Sequence, residues 1–274
     1  MPARLWDRAS RLPAPSERHG ADGHPADSGD RRRRAEIVAL ASGLPTIADL
    51  FTFMRDAELR FSTLRMRIEQ RTATADGERL VSIEALVRHP GDAKVTTTEV
   101  HAQGGARADY EIWISDGTTV RTYAARHRLG TTRPVRAVVA GLADPDLPGS
   151  SKVYTPLTAL PMETLPDTFV HPAGFCQNVL ATGRCWVAGT SSIGGRETIV
   201  LECDHPRGTE VWTDRPDYHL VVHADRDTGV ILRLVESIAG GRTREAEAVV
   251  FEPNAALAPT AFDFEFPPDT TTIY

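Results

Sequence analysis

Glu111-Ile112-Trp113-Ile114-Ser115-Asp116-Gly117-Thr118-Thr119-Val120-Arg121-Thr122-Tyr123 holds two runs of β-branched and aromatic residues joined by Asp-Gly. Such a dipeptide supplies the positive φ of a tight turn, so the stretch reads as a β-hairpin. The same period of two extends outward from it. Upstream, Leu64, Met66 and Ile68 alternate with Arg65, Arg67 and Glu69, and beyond a turn at Gly77 the residues Val81, Ile83, Ala85 and Val87 alternate with Ser82, Glu84 and Leu86. His89-Pro90-Gly91-Asp92 then turns the chain into a third strand over 94–100. Downstream, strands are expected at 185–190, 195–203, 217–224, 230–238 and 242–251, with turns at Asp227-Thr228-Gly229 and Gly240-Gly241. The chain finishes on Phe262-Asp263-Phe264-Glu265-Phe266-Pro267-Pro268. Three phenylalanines on one side and two acids on the other predict a last half-buried strand over 262–266, stopped by two prolines that cannot donate to a ladder.

Two regions break this period. Thr46 followed by Asp49 forms a start like a capping box, and Ile47, Leu50, Phe51, Met54 and Ala57 recur at helical spacing, predicting an amphipathic helix to about residue 60. Residues 134–182 are rich in proline, with apolar residues at helical spacing. Helices are expected there at 134–142, 156–162 and 172–182, the last with Pro172 in its first turn and Gly183 just past its end. The fold class is therefore α+β and β-dominated: about eleven strands in a strongly curling antiparallel sheet, with helices in two places. A single domain is expected over 45–274. Residues 1–44 form a leader whose Pro, Ala, Gly, Asp, Arg and His content shows no periodicity and reads as disordered, and the arginines at 31–34 as a solvated charge run.

The chain has 274 residues, 41% hydrophobic and 25% charged, with a formal charge of −6. That acidic balance gives no general reason to expect nucleic acid as partner. Arginine is used almost throughout, the only lysines being Lys94 and Lys152, a pattern of GC-rich codon usage. No run of about 20 apolar residues is present, so no transmembrane segment is expected. The first residues lack the hydrophobic core of a secretory signal, so the address as written is cytoplasmic, and extracytoplasmic if the true start lies elsewhere. Three cysteines (Cys176, Cys185, Cys203) leave at least one thiol unpaired; buried, reduced cysteines are expected, with a Cys176–Cys185 disulfide confined to an oxidising compartment.

The residue types that carry chemistry do not assemble into a known site. His219 and His223 would share a helix face, but they lie on an expected strand, where four residues span about 13 Å, too far for one ion. Cys203 and His205, with Cys176 and Cys185, match no zinc spacing. Asp225-Arg226-Asp227-Thr228-Gly229 suggests a calcium loop, and Glu236 falls at its twelfth position, but Val230 stands where that loop needs glycine. Gly194-Gly195 lacks the helix and lysine of a phosphate loop, and no Gly-x-Ser-x-Gly elbow occurs. The reading is a protein that is not an enzyme and uses no cofactor and no metal. What remains is apolar surface: Leu157, Leu160, Met162, Leu165, Phe169, Phe175, Val179 and Leu180 cover the sheet's inner face, either filling the core or roofing a cavity, since both want the same residues.

In order and wording the chain resembles the bacterial lipoprotein-carrier superfamily of LolA, LppX and RseB over about residues 46–274. The resemblance is carried by an N-terminal helix leading to Phe61-Ser62-Thr63-Leu64-Arg65-Met66-Arg67-Ile68-Glu69-Gln70, by Leu86-Val87-Arg88-His89-Pro90, by the Ser-Asp-Gly hairpin from Ile112 to Tyr123, by Val222-His223-Ala224-Asp225-Arg226-Asp227-Thr228-Gly229 and by the closing phenylalanines. It implies an unclosed antiparallel half-barrel wrapped round a few helices, with a hydrophobic cavity that binds acyl chains or lipoproteins. In RseB-like proteins it implies a regulatory protein–protein module. On the carrier reading, an apolar small molecule or acyl chain would contact Leu64, Met66, Ile68, Ile83, Val87, Ile112, Ile114, Leu157, Leu160, Met162, Phe169, Phe175 and Val179. On the alternative, the curved sheet would receive a partner polypeptide, and a cytoplasmic address favours it. Carriers of this family place an arginine directly before the proline that ends the second strand, where it helps hold a helical lid. Here that position is His89, with Arg88 on the opposite face. No lipobox cysteine stands near the start, and no small second domain is expected after the last strand.

Overall fold

The computed structural model describes residues 39–100, 109–135, 156–206 and 217–273. Residues 1–38 of the leader expected over 1–44, and 136–142 of the helix expected over 134–142, lie outside these. Alternation decides the backbone first. β1 (Thr63–Thr74), β2 (Gly77–Arg88), β3 (Asp92–Val100), β4 (Tyr110–Asp116), β5 (Thr119–Ala124) and β6 (Leu129–Pro134) form one antiparallel meander. β7 (Arg184–Ile193), β8 (Arg196–Asp204), β9 (Tyr218–Asp225), β10 (Ile231–Ile238) and β11 (Gly241–Pro253) form a second. Pairing of β1 with β11, from Leu64 opposite Pro253 to Thr72 opposite Arg244, joins the two. The result is a single twelve-stranded sheet in the order β12-β6-β5-β4-β3-β2-β1-β11-β10-β9-β8-β7, whose end strands do not meet. It is an open half-barrel around a few helices, and the expected class holds.

Register assigns the faces, because residues directly opposite in an antiparallel pair point the same way. Leu64, Val87, Ala93, Ser115 and Val120 form one inner row, and Met66, Ala85, Val95, Trp113, Thr122 and Thr131 the next. In the second meander Leu201, Val222, Leu234 and Ala246 continue the inner surface. Helices pack onto it. α1 (Ile47–Arg55) is capped by Thr46, whose Oγ1 accepts from the Asp49 N–H at 3.2 Å, and buries Leu50, Phe53 and Met54. The helix ends earlier than its periodicity predicts and tightens into a 3₁₀ turn over Ala57–Arg60. There the Arg60 guanidinium donates to the carbonyls of Phe53 and Thr228 and lies 3.9 Å from the Phe53 ring centroid.

The middle segment departs furthest from expectation. Residues 156–162 are not helical: the Leu157 N–H donates to Glu58 and Thr158 is held at the β2–β3 turn, which keeps this proline-flanked stretch open. α2 (Leu165–Val170) was not anticipated, because Pro166 sits in its first turn and it is only six residues long. His171, whose backbone before Pro172 is not helical, separates it from α3 (Pro172–Asn178). A 3₁₀ turn over Leu180–Thr182 follows and stops at Gly183, where the sequence places the end. α1 packs on α3 and β7, and α2 on α3 and β10. β6 was also missed, since Gly130-Thr131-Thr132-Arg133 carries no apolar alternation to announce a strand.

The chain end corrects the expected strand over 262–266. Pro259–Phe262 is a 3₁₀ turn, 263–268 is irregular, and β12 (Thr271–Ile273) pairs in parallel with β6. The phenylalanines do bury themselves, but across the outer face of β3–β6 rather than in its ladder. Phe264 and Phe266 meet edge to face at 5.5 Å and both lie against Tyr123. Phe262 sits under Arg88, Arg121 donates to the Phe264 carbonyl at 2.6 Å, and Lys94 reaches the Ala261 carbonyl at 3.5 Å. Side chains of Lys94, Ile114 and Arg121 share this face.

Gly130 makes the close approach possible. A Cβ there would stand 2.8 Å from Phe266 Cε1 and 2.9 Å from Thr270 Cγ2. Gly130→Ala is expected to destabilise the protein by about 1–3 kcal/mol through overpacking. In a Phe266→Ala background the same change should cost measurably less, a coupling that a double-mutant cycle in urea will read. Equal costs in both backgrounds would mean that Phe266 does not press on Gly130.

Candidate functional site

Among the described residues, the helices pack on the inner face beside β7–β11, and residues 156–166 cover the β3–β6 side. Between that cover and the sheet lies a cleft of about 550 Å³. Its floor is Val81 and Ile83 of β2, Val95 and Thr97 of β3, Trp113 of β4 and Thr122 of β5; Pro161, Leu165 and Pro166 form its roof. The floor follows from the register already described, which sets Ile83 opposite Thr97 and Val95 opposite Trp113. Charged and amide groups rim the opening: Gln70, Arg79, Glu111, Glu163 and Arg244. Two of these are ion-paired, Arg79 with Glu99 and Arg244 with Glu236. Burial, and the charge of Glu236, push the Tyr218 phenol well above its ordinary range. The arrangement is an apolar floor with a polar lip.

The residues expected to touch a ligand separate into groups. Ile83 borders the cleft. Ile112 does too, although its partners Thr96 and Tyr123 set its side chain on the outer face. Ile114 is buried on that outer face, where the C-terminal segment crosses. Leu64, Met66, Ile68, Val87, Leu160 and Phe169 are packed into the core, with Phe175 and Val179 partly buried against it. Leu157 is half-buried, and Met162 is 77% exposed. Val81, Val95, Thr97, Trp113 and Thr122 on the floor lie outside the expected contact set. Ile112-Trp113-Ile114 is apolar on both faces, so alternation alone does not say which face meets the helices; the pairing of Val95 with Trp113 does.

Two buried polar anchors hold the roof. His89 Nδ1 lies 2.8 Å from Thr158 Oγ1, which also accepts from the Gly91 N–H at 2.8 Å, while the His89 ring packs on Phe61. The position that carries an arginine in LolA-like carriers thus meets the cover through an imidazole. Arg88 points outward to Asp92. The second anchor is Glu58, 3% exposed, whose Oε2 accepts from the Leu157 N–H at 2.9 Å and lies 3.3 Å from His171 Nε2. Asp167 Oδ1 stands 3.1 Å from His171 Nδ1 on the other side. Burial opposes charge on His171, but its bonds to Asp167 and Glu58 outweigh it and raise the imidazolium to about 9.

His219 lies 2.8 Å from Asp204, whose carboxyl is held low by Arg184 and His219. Burial, with Arg233 beside it, lowers His223 to about 4. Asp225 is buried against Arg196 and accepts from Thr228, which accounts for the acidic turn as a hairpin. Among the described residues no cluster of His, Cys, Asp and Glu is placed to hold a metal ion, and no helix is long and apolar enough to cross a membrane. All three cysteines are unpaired.

The His171 anchor predicts a pH dependence. Its folded pKa lies above the unfolded value of 6.5, so its contribution is full below that pH and fades as pH rises through about 9. The loss is on the order of 3 kcal/mol. Urea titrations between pH 6 and 10 should show it, and Glu58→Gln should shrink the pH-dependent part while lowering stability at pH 7. An unchanged profile in Glu58→Gln would remove Glu58 from the anchor.

No protein-family model matches the chain, and comparison with curated proteins gives no match. Among solved structures it is similar to the crystal structure of MucB, at 16% identity and a TM-score of 0.45, over 80% of this chain and 62% of that one. The chain therefore spans less than two thirds of the MucB chain it matches. It is also similar to the Pseudomonas aeruginosa MucA/MucB complex structure, at 17% identity and a TM-score of 0.45, over 80% of this chain and 61% of that one. A LolA superfamily protein from Nitrosomonas europaea aligns at 10% identity and a TM-score of 0.33, over 80% of this chain and 98% of that one. Its own topology is an open, mainly antiparallel sheet curled round helices.

Proposed function

We propose that this protein is a non-catalytic binding protein that takes an acyl chain or similar apolar segment into the trough between β2–β5 and residues 161–166. The observation that carries the reading is the floor itself. Val81, Ile83, Val95 and Trp113 form an apolar floor beneath Pro161, Leu165 and Pro166, bordering a volume typical of ligand sites. Each methylene buried there contributes roughly 0.8 kcal/mol, so about ten would contribute roughly 8 kcal/mol before the cost of ordering the chain. No bond need be made or broken. The roof hangs from Thr158 and Glu58, so moving it would widen the entrance without disturbing the sheet.

A second reading, recognition of a partner polypeptide by the curved sheet, draws on the polar lip. Arg79, Glu111, Glu163 and Arg244 present both charge signs beside the trough, as an extended peptide with mixed side chains would require.

Native mass spectrometry of gently purified protein, with organic extraction of whatever is bound, tests the first reading. An added mass that resolves into an acyl-chain series is expected, as is its loss in Thr97→Trp, which places an indole on the floor. Protein that stays free of adduct after incubation with phospholipid or fatty acid would overturn the carrier reading.

A further inference from the structure

Cys185 and Cys203 are register partners across β7 and β8. Partners in an antiparallel pair stand about 4.5–5.5 Å apart at Cα, inside the roughly 4.4–6.8 Å that a disulfide spans, and their side chains leave the same face. Their sulfurs converge. Cys185 Sγ lies 3.0 Å and Cys203 Sγ 3.5 Å from the carbonyl oxygen of Leu180, which accepts from both. Cys185 is half-buried, whereas Cys203 is fully enclosed. Cys176, 4% exposed, turns toward Met54, with Sγ 4.0 Å from Sδ.

We propose that Cys185 and Cys203 are a redox pair, oxidised by small disulfides to an intramolecular disulfide across β7–β8, with Cys176 left out. The contact with Cys203 lowers the Cys185 thiol below its ordinary value, whereas burial raises Cys176 to about 12. Cys185 is therefore the attacking group. Its thiolate attacks one sulfur of a small disulfide such as oxidised glutathione; that S–S bond breaks and one glutathione leaves as thiolate and takes up a proton. Cys203 then gives up its proton and attacks the Cys185 sulfur of the mixed disulfide, releasing the second glutathione. Two protein thiols are oxidised, and one glutathione disulfide is reduced to two thiols.

The bond has a structural consequence. Both S–H groups face the Leu180 carbonyl at the 3₁₀ turn that ends the helical cover. Oxidation removes both donors and leaves that buried carbonyl without them, so the redox state of the strand pair is coupled to how firmly the cover is held.

The full chain is incubated in a glutathione redox buffer, its free thiols are alkylated, and it is digested without reductant for peptide mass mapping. The expected result is the loss of two hydrogens, a cross-link between the peptides carrying Cys185 and Cys203, and alkylation of Cys176 only after unfolding. Cys176→Ala should form the same cross-link. Cys203→Ala should stop at a glutathione adduct on Cys185. A cross-link that includes Cys176, or Cys185 and Cys203 that both remain alkylatable after prolonged oxidation, would overturn the proposal. The unmodified chain and Cys176→Ala decide the matter even if the buried Cys203 variant does not fold.

Discussion

The pairing of β1 with β11 is the constraint on which the rest of the molecule depends. Each meander by itself is a run of local hairpins, and local hairpins leave an exposed apolar face. Joining Leu64–Thr72 to Arg244–Pro253 brings together segments roughly 180 residues apart and makes one curved surface from two flat ones. Closing so large a loop is entropically expensive, and the inner face must offset it. Leu64, Met66 and Ile68 on one strand, with Ala246 and Ala248 on the other, are buried there together. The small residues on β11 leave room for the helices, and the bulge between Arg67 and Ile68 sharpens the bend at that seam.

A single curled sheet cannot cover its own concave side, so everything that is not strand is recruited to do so. The α1 segment and the α2–α3 segment share the second half of the barrel, where apolar surface is continuous. Among the described residues the first half receives an extended, proline-bearing stretch. That stretch is held by polar contacts, from Thr158 and through Glu58, rather than by packing alone, and polar contacts are directional and breakable where packing is not. The asymmetry between a packed half and a strapped half is what leaves a trough at Trp113.

Much of this architecture was legible in the residues. Alternation marks ten strands to within a few positions, and Thr46, Pro172 and Gly183 mark helix ends where the structure has them. Three features resisted for physical reasons. Gly130-Thr131-Thr132-Arg133 is a strand by virtue of its neighbour β5, a tertiary cause with no local signature. Residues 156–162 have helical spacing, yet Glu58 takes the Leu157 N–H and the Thr158 hydroxyl is bound by Gly91 and His89, contacts that no local pattern foretells. The closing phenylalanines have strand periodicity, but Tyr123 and Gly130 offer them a face to lie on. The candidate site was the least legible part, because Ile112-Trp113-Ile114 is apolar both ways and only cross-strand register says which side is in.

An unclosed sheet has ends, and ends invite other sheets. The three-residue β12, running parallel to β6 with two threonines, blunts one end without offering a long template of its own. At the other end, β7 slips register between Val187 and Gly189, so its rim is not a straight row of donors and acceptors. A half-barrel with straight, bare rims would otherwise stack rim to rim with its own copies; the bulge and the stub strand give it colloidal safety at the cost of a few hydrogen bonds.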